Sequence, residues 1–348
     1  MHAFIGSGLH EDLHEAGRNG RKLEREDYMS NRTRVKQATA VPLGKFMDPD
    51  VTAKGERRAV VPFTGLATLW FNTGTLCNIA CANCYIESSP KNDALAYLTR
   101  AEVATFLEQA KSAAVVPREI GFTGGEPFMN PDFIGMTEDA LGAGFSVLVL
   151  TNAMKPMQHK RDEFLALHRK YPGRLSVRVS IDHYEAARHE EVRGARTWLP
   201  AIDGIVWLSE NGFDVALAGR KLWTETETEL RDGYARVFGA LGVKLDMHDP
   251  ARLVLFPEMD AHAEVPEISE GCWSILKLRP ESVMCASSRM VVKRKGADAP
   301  AVVSCTLLPY ADGFEMGATL ADAARPVSLN HRHCAKFCVL GGASCSAR

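Results

Sequence analysis

Three cysteines stand within eight residues, Cys77, Cys81 and Cys84, spaced C-x3-C-x2-C, and Tyr85 follows the last directly. Clustered thiolates are ligands for zinc or for iron–sulfur clusters. Buried unliganded thiols are the plainest alternative, but three so close together are hard to explain as packing. A structural zinc site wants four ligands, and no histidine lies near this loop to complete the set. A ferredoxin-type carrier would use four cysteines, commonly at two-residue spacings. A [4Fe–4S] cube held by only three thiolates leaves one iron with open coordination, where an external ligand can bind and receive an electron.

A second stretch with chemical content is FTGGEPFMNPDF at 122–133, which holds Gly124, Gly125, Glu126 and Pro127. One reading is a glycine turn before a helix that starts near Pro131. The other is that the glycines let backbone approach a ligand closely while the carboxylate meets an ammonium group. The spacing C-x3-C-x2-C with a following aromatic residue, together with GGEP beyond it, resembles the signature of the radical S-adenosylmethionine (SAM) superfamily. The resemblance covers about residues 67–260 and implies a three-cysteine [4Fe–4S] cluster whose open iron is chelated by the amino and carboxylate groups of SAM. It implies reductive cleavage of SAM to methionine and a 5′-deoxyadenosyl radical that abstracts hydrogen from substrate. It places Gly124, Gly125, Glu126 and Pro127 around the methionine part of SAM. Asn152 in LTNAM, and Ser180 and Asp182 in VSIDHY, are expected to make polar contacts to its ribose or carboxylate. Tyr85 is expected to pack beside the cluster or the adenine. Arg193 receives no role, Arg220 is a candidate carboxylate partner, and His183 and His189 read as helix-start or surface residues.

The other six of the nine cysteines fall between 272 and 345. Turn chemistry at KGADAP, 295–300, between the strand-like RMVVK and AVVS predicts a hairpin that brings Cys285 and Cys305 together. Cys334 and Cys338, four apart, can share a helical face, and Cys345 lies just beyond. This region resembles the SPASM and twitch extensions of radical SAM enzymes, which carry auxiliary [4Fe–4S] clusters. A full SPASM domain uses more cysteines, so one auxiliary cluster is expected, held by Cys285, Cys305, Cys334 and either Cys338 or Cys345. Tetrathiolate zinc fits the same residues. Cys272 reads as an ordinary buried thiol.

These groups need a scaffold, and the chain has a rhythm that provides one. Apolar runs at 67–71, 119–122, 145–151, 175–181, 213–219 and 251–256 alternate with amphipathic segments at about 99–110, 131–142, 158–171, 197–211 and 226–241. Thr99 and Glu102 have capping-box spacing. Six such repeats predict an α/β fold with parallel strands and crossover helices. The resemblance makes it a partial (β/α)6 TIM-like barrel, followed by a small cysteine-rich C-terminal domain. Chemistry gathers at the carboxyl ends of such strands, and the cysteine loop follows the first of them. The expected divisions are a low-order polar extension at 1–62, the barrel at 63–262 and the auxiliary domain at 263–348.

Composition sets the remaining limits. Of the 348 residues 46% are hydrophobic and 24% charged, with a net charge of -2, so neither nucleic-acid nor membrane binding is indicated. Clustered thiols without a secretion signal point to the cytoplasm. The expected function is a radical SAM oxidoreductase acting on a small-molecule or peptide substrate, with an electron donor such as flavodoxin or ferredoxin. A maturase of a ribosomally synthesised peptide or protein is one alternative, and a non-catalytic iron–sulfur redox sensor or electron carrier another. No leader-binding module is legible in 1–60, which favours a small molecule or a partner-delivered peptide.

Overall fold

The structure is a computed structural model and describes residues 44–112, 116–258 and 264–342. Its strands are β1 (Val60–Val61), β2 (Thr68–Asn72), β3 (Glu119–Thr123), β4 (Ser146–Thr151), β5 (Leu175–Ser180), β6 (Asp214–Lys221), β7 (Leu253–Pro257), β8 (Ser288–Val292), β9 (Ala301–Val303), β10 (Glu315–Gly317) and β11 (Val327–Ser328). Strands β2 to β7 are hydrogen-bonded in chain order and all parallel, from Thr68↔Glu119 to Lys221↔Pro257. All six expected runs are therefore strands of one sheet. Each is apolar over most of its length because helices cover one face and the barrel interior the other. In β2 all five residues, TLWFN, are buried.

The helices Arg100–Lys111, Phe133–Gly142, Arg161–Lys170, Trp198–Glu210 and Glu227–Ala240 make the crossovers. The Thr99 capping box is present, and Thr226 with Glu229 forms a second. The helix expected over 158–171 is two pieces, Lys155–His159 and Arg161–Lys170, and the helix Ala186–Arg193 was not anticipated. No helix among the described residues is long and apolar enough to cross a membrane.

The cysteine-rich segment continues the same sheet. Strand β8 pairs in parallel with β2 on the side away from β3, and β9 and β10 follow antiparallel, giving the order β10-β9-β8-β2-β3-β4-β5-β6-β7. The expected hairpin is present, with Met290 opposite Val303 and Val292 opposite Ala301. The N-terminal expectation needs correction. Residues 44–62, taken as part of a low-order extension, pack on the C-terminal segment: β1 pairs with β11, and fully buried Arg58 meets Glu267 at 2.6 Å. A buried guanidinium needs such a partner, which is why these polar residues are held. The rest of that expectation, 1–43, lies outside the described residues, as does Cys345.

Candidate active site

The chain leaves β2 through Gly74 and runs beside the loop that follows β3. Backbone hydrogen bonds continue the strand pairing into both loops: Thr73 N to Thr123 O at 2.8 Å, Gly125 N to Gly74 O at 2.8 Å and Glu126 N to Leu76 O at 3.2 Å. This close approach explains the two glycines. A Cβ on Gly125 would lie 2.1 Å from the Leu76 carbonyl oxygen, and one on Gly124, whose φ is +139°, 2.6 Å from that of Gly74. Between Cys81 and Cys84, Asn83 takes a left-handed conformation, which asparagine tolerates better than most residues. Ala82 N donates to Val192 O at 2.7 Å, so the far end of the loop is tied to the helix Ala186–Arg193.

The three cysteines line one pocket of about 920 Å³, its open mouth included. Tyr85, Gly124, Gly125, Asn152, Ser180 and Asp182 line it too. Its wall takes residues from the carboxyl ends of five successive strands: Thr123, Thr151, Ser180, Arg220 and Phe256. The sheet must curl round it, as a partial barrel does.

Glu126 and Pro127 are not in the wall. Pro127 opens a short 3₁₀ turn over Pro127–Met129. Glu126 is 1% exposed and works from behind, accepting hydrogen bonds from Thr151 Oγ1 at 2.7 Å and Asn152 N at 2.9 Å. It thereby fixes the loop after β4. Asn152 Nδ2 in turn donates to Asn78 Oδ1 at 2.9 Å and lies 3.9 Å from Cys77 Sγ. Burial pushes the Glu126 carboxyl up to about 7.

Asp182 is buried between two cations. Its Oδ2 accepts from Arg193 Nε at 2.8 Å, and its Oδ1 is 3.5 Å from Arg220 Nε. Arg193, given no role in the sequence, is a wall residue whose charge acts on Cys81 and Cys77. His183 and His189, expected at helix starts or on the surface, are both fully buried. His183 does accept from Glu185 N just before the helix, and it meets Glu225 at 3.0 Å. His189 Nδ1 accepts from Asp182 N, and burial drives its pKa down to about 3. Asn130, also missed, donates to Thr73 O and Leu98 O and so ties three loops. A lone buried polar side chain has no periodic signal that a sequence pattern could expose.

The pocket suits an anionic metal cluster with a carboxylate-bearing ligand. Burial pushes the Cys77 thiol up to about 12 and raises that of Cys81, with Arg193 the leading opposing influence on Cys81. Buried thiols of this kind lose their protons when a metal takes their place. Three arginines, Arg178, Arg193 and Arg220, line the wall with one carboxylate, Asp182, while Glu119 acts on Arg178 and Glu258 lies 3.8 Å from Arg220 just behind it. Arg220 Nη1 is buried without a hydrogen bond in the protein and lies 3.8 Å from Glu258 Oε2, so a ligand carboxylate there would share it with that ion pair. Among the described residues, no three or more His, Cys, Asp or Glu side chains form a site for a single metal ion.

In the C-terminal segment Cys285, Cys305 and Cys334 are buried, and they lie close enough for Cys305 to act on both Cys285 and Cys334 and for Cys285 to act on Cys334. Cys285 is pushed up to about 12, mainly by burial. Cys334 and Cys338 lie in one π-helical turn, Cys334–Val339, a distortion frequent at functional sites. Cys272 is half-buried and its sulfur lies 3.6 Å from Ser269 Oγ.

A partial barrel with three thiols at the mouth defines a class of cluster-bearing α/β proteins. The comparisons specify it further. Residues 71–228 match the Radical SAM superfamily model. The antilisterial bacteriocin subtilosin biosynthesis protein AlbA of Bacillus subtilis (strain 168) is 28% identical over 192 residues, 53% of this chain and 41% of that protein. Among solved structures, Streptococcus suis SuiB bound to S-adenosylmethionine aligns with a TM-score of 0.51 at 12% identity, over 73% of this chain and 64% of that one. SuiB bound to its precursor peptide SuiA gives 0.54 at 12% identity, over 75% and 65%. This chain thus spans less than two thirds of the length of these relatives. Over residues 71–228 it is similar to the radical SAM superfamily, the class that pairs a [4Fe–4S] cluster with SAM.

Proposed function

We propose that the protein is a radical SAM enzyme that modifies a peptide, a maturase in which Cys77, Cys81 and Cys84 hold the cluster. When bound, the cluster supplies the electron for reductive cleavage of SAM, and the resulting radical abstracts hydrogen from the substrate. The observation that carries this reading is the convergence of the three thiols on one arginine-lined pocket at the carboxyl ends of the barrel strands. Gly124 and Gly125 shape the wall, Asn152 and Ser180 offer polar contacts, and Arg220, steadied by Asp182, offers a guanidinium to the carboxylate of SAM. Arg193 compensates the thiolates. Tyr85 packs at the rim and Glu126 positions Asn152.

The peptide assignment draws on AlbA, a bacteriocin biosynthesis protein, and on SuiB, seen with a precursor peptide. Of the two substrates that residues 1–60 leave open, a small molecule or a partner-delivered peptide, it takes the peptide. We assign the barrel to 63–262 and an auxiliary cluster to Cys285, Cys305 and Cys334, with Cys338 or Cys345 as the fourth ligand. Reduced flavodoxin or ferredoxin is the proposed electron donor.

Anaerobic reconstitution followed by dithionite and SAM tests this function. The expected result is 5′-deoxyadenosine at ~8 irons per chain, with product lost in the Cys77→Ala, Cys81→Ala, Cys84→Ala variant. Intact cluster without 5′-deoxyadenosine would favour a redox sensor. Co-expression with short peptides encoded beside its gene, read by mass spectrometry, should show a mass change that the triple variant lacks; 5′-deoxyadenosine with every peptide unchanged would overturn the peptide assignment alone.

A further inference from the structure

Arg289 is a buried cation with no counter-ion among the described residues. It sits on β8, is 1% exposed, and among the described residues no carboxylate lies within ion-pair distance. Its hydrogen bonds go to neutral carbonyls: Nε to Ala323 O at 2.9 Å, Nη1 to Cys285 O at 2.6 Å and to Ser288 O at 2.7 Å, and Nη2 to Arg325 O at 2.8 Å. Its flat face covers the Phe63 ring, 4.5 Å from the centroid. Arg325, the other cation that acts on it, repels it. Arginine does not shed its proton to escape such a position. Carbonyl dipoles and one aromatic ring are poor compensation for a whole charge removed from water. Two other arginines held inside this protein have a carboxylate: Arg58 has Glu267 and Arg193 has Asp182.

The groups of opposite sign that act on Arg289 are the Cys285 and Cys305 thiols, if ionised. As neutral thiols they offer it nothing. As thiolates on a cluster they place net negative charge beside it, and each electron the cluster accepts makes that charge one unit more negative. We propose that Arg289 is the buried counter-charge of the auxiliary cluster and holds its reduction potential up by stabilising the reduced state. The proposal rests on the auxiliary-cluster reading above. It makes Arg289 a positioning residue that acts through the thiolates and touches no substrate.

The test uses the full chain carrying Cys77→Ala, Cys81→Ala and Cys84→Ala, so that only the C-terminal site can hold iron, with the potential read by EPR-monitored redox titration. In that background Arg289→Gln is expected to retain iron and shift the reduction equilibrium at least tenfold toward the oxidised state, about 59 mV for one electron. Arg289→Lys, which keeps the charge but not the fork, is expected to stay within threefold of the parent. Equal potentials in all three proteins would overturn the proposal and leave Arg289 a tie between carbonyls. Should Arg289→Gln fail to hold iron, Arg289→Lys decides: iron at the parent potential supports the charge, and loss of iron here too shows that the fork is what matters and overturns it. A parent protein without iron would overturn the auxiliary-cluster reading itself, a failure distinct from a cluster whose potential ignores Arg289.

Discussion

Glu126 is a residue whose type was legible and whose task was not. The motif puts a carboxylate next to the pocket, yet the side chain turns inward and holds Thr151 and Asn152. Burial raises its pKa to about 7 from an ordinary value near 4.5, and the sign of the consequence follows. Between those two values the folded chain keeps a proton that the unfolded chain has shed. The contribution of Glu126 to stability is therefore lost as pH rises from 4.5 to 7 and is level above that, an effect of about 1–3 kcal/mol. His189, His331 and His333, depressed to about 3, 4 and 4 by burial, act in the opposite sense, gaining stability as pH rises toward 6.5. The comparison must therefore be between proteins. Melting of cluster-free wild type and Glu126→Gln from pH 4.5 to 7.5 should show the variant gaining relative to wild type as pH rises. Parallel curves would mean that Glu126 is not buried as described.

At the scale of elements, the pairing of the two strand-end loops is what delivers the cysteines. Gly125→Ala puts a methyl group against the Leu76 carbonyl, a backbone atom that cannot swing aside. The expected cost is about 1–3 kcal/mol, with impaired iron retention at the Cys77 site. Gly239→Ala is the matched control. This glycine lies in the helix Glu227–Ala240 with nothing within 4 Å of an added Cβ, so the change should stabilise by about 0.5–1 kcal/mol. Thermal melts and iron content separate the two, and equal behaviour would remove the steric argument. The elements themselves were largely readable. Runs such as SVLVLT and LSVRVS are apolar because parallel strands are covered on both faces, and Thr99 with Glu102 marks a helix start within four residues. The cysteine spacing and GGEP are local in the same way. What escaped depends on contacts far apart in sequence. Gly125 meets Leu76, Asn130 bridges Thr73 and Leu98, and Arg193 turns inward to Asp182; none of these partners is visible from the neighbours of either residue.

For the whole molecule the decisive feature is that the cysteine-rich segment completes the sheet. Strand β2 is covered along one edge by β3 and along the other by β8, and its residues are all buried. Phe337, beside Cys338, stacks on Phe256 of the pocket wall at 5.2 Å, and Arg58 finds its only described acidic partner, Glu267, in the same C-terminal part. Sequence reading divided the chain at 262 because the strand–helix rhythm stops there; it could not foresee that β8 would return to pair with β2, a partner more than two hundred residues earlier. If the pairing is integral to the barrel, a chain ending at residue 262 should expose the apolar edge of β2, uncover Phe256 and release residues 44–62 from the segment they pack on. An unpaired apolar edge invites association. The truncated chain is therefore expected to aggregate, while the intact chain melts in one transition that carries both regions. A truncated protein that stays monomeric and melts at the temperature of the intact chain would show that the barrel folds without its C-terminal strands, and that the continuous sheet serves only to hold the second set of thiols against the first.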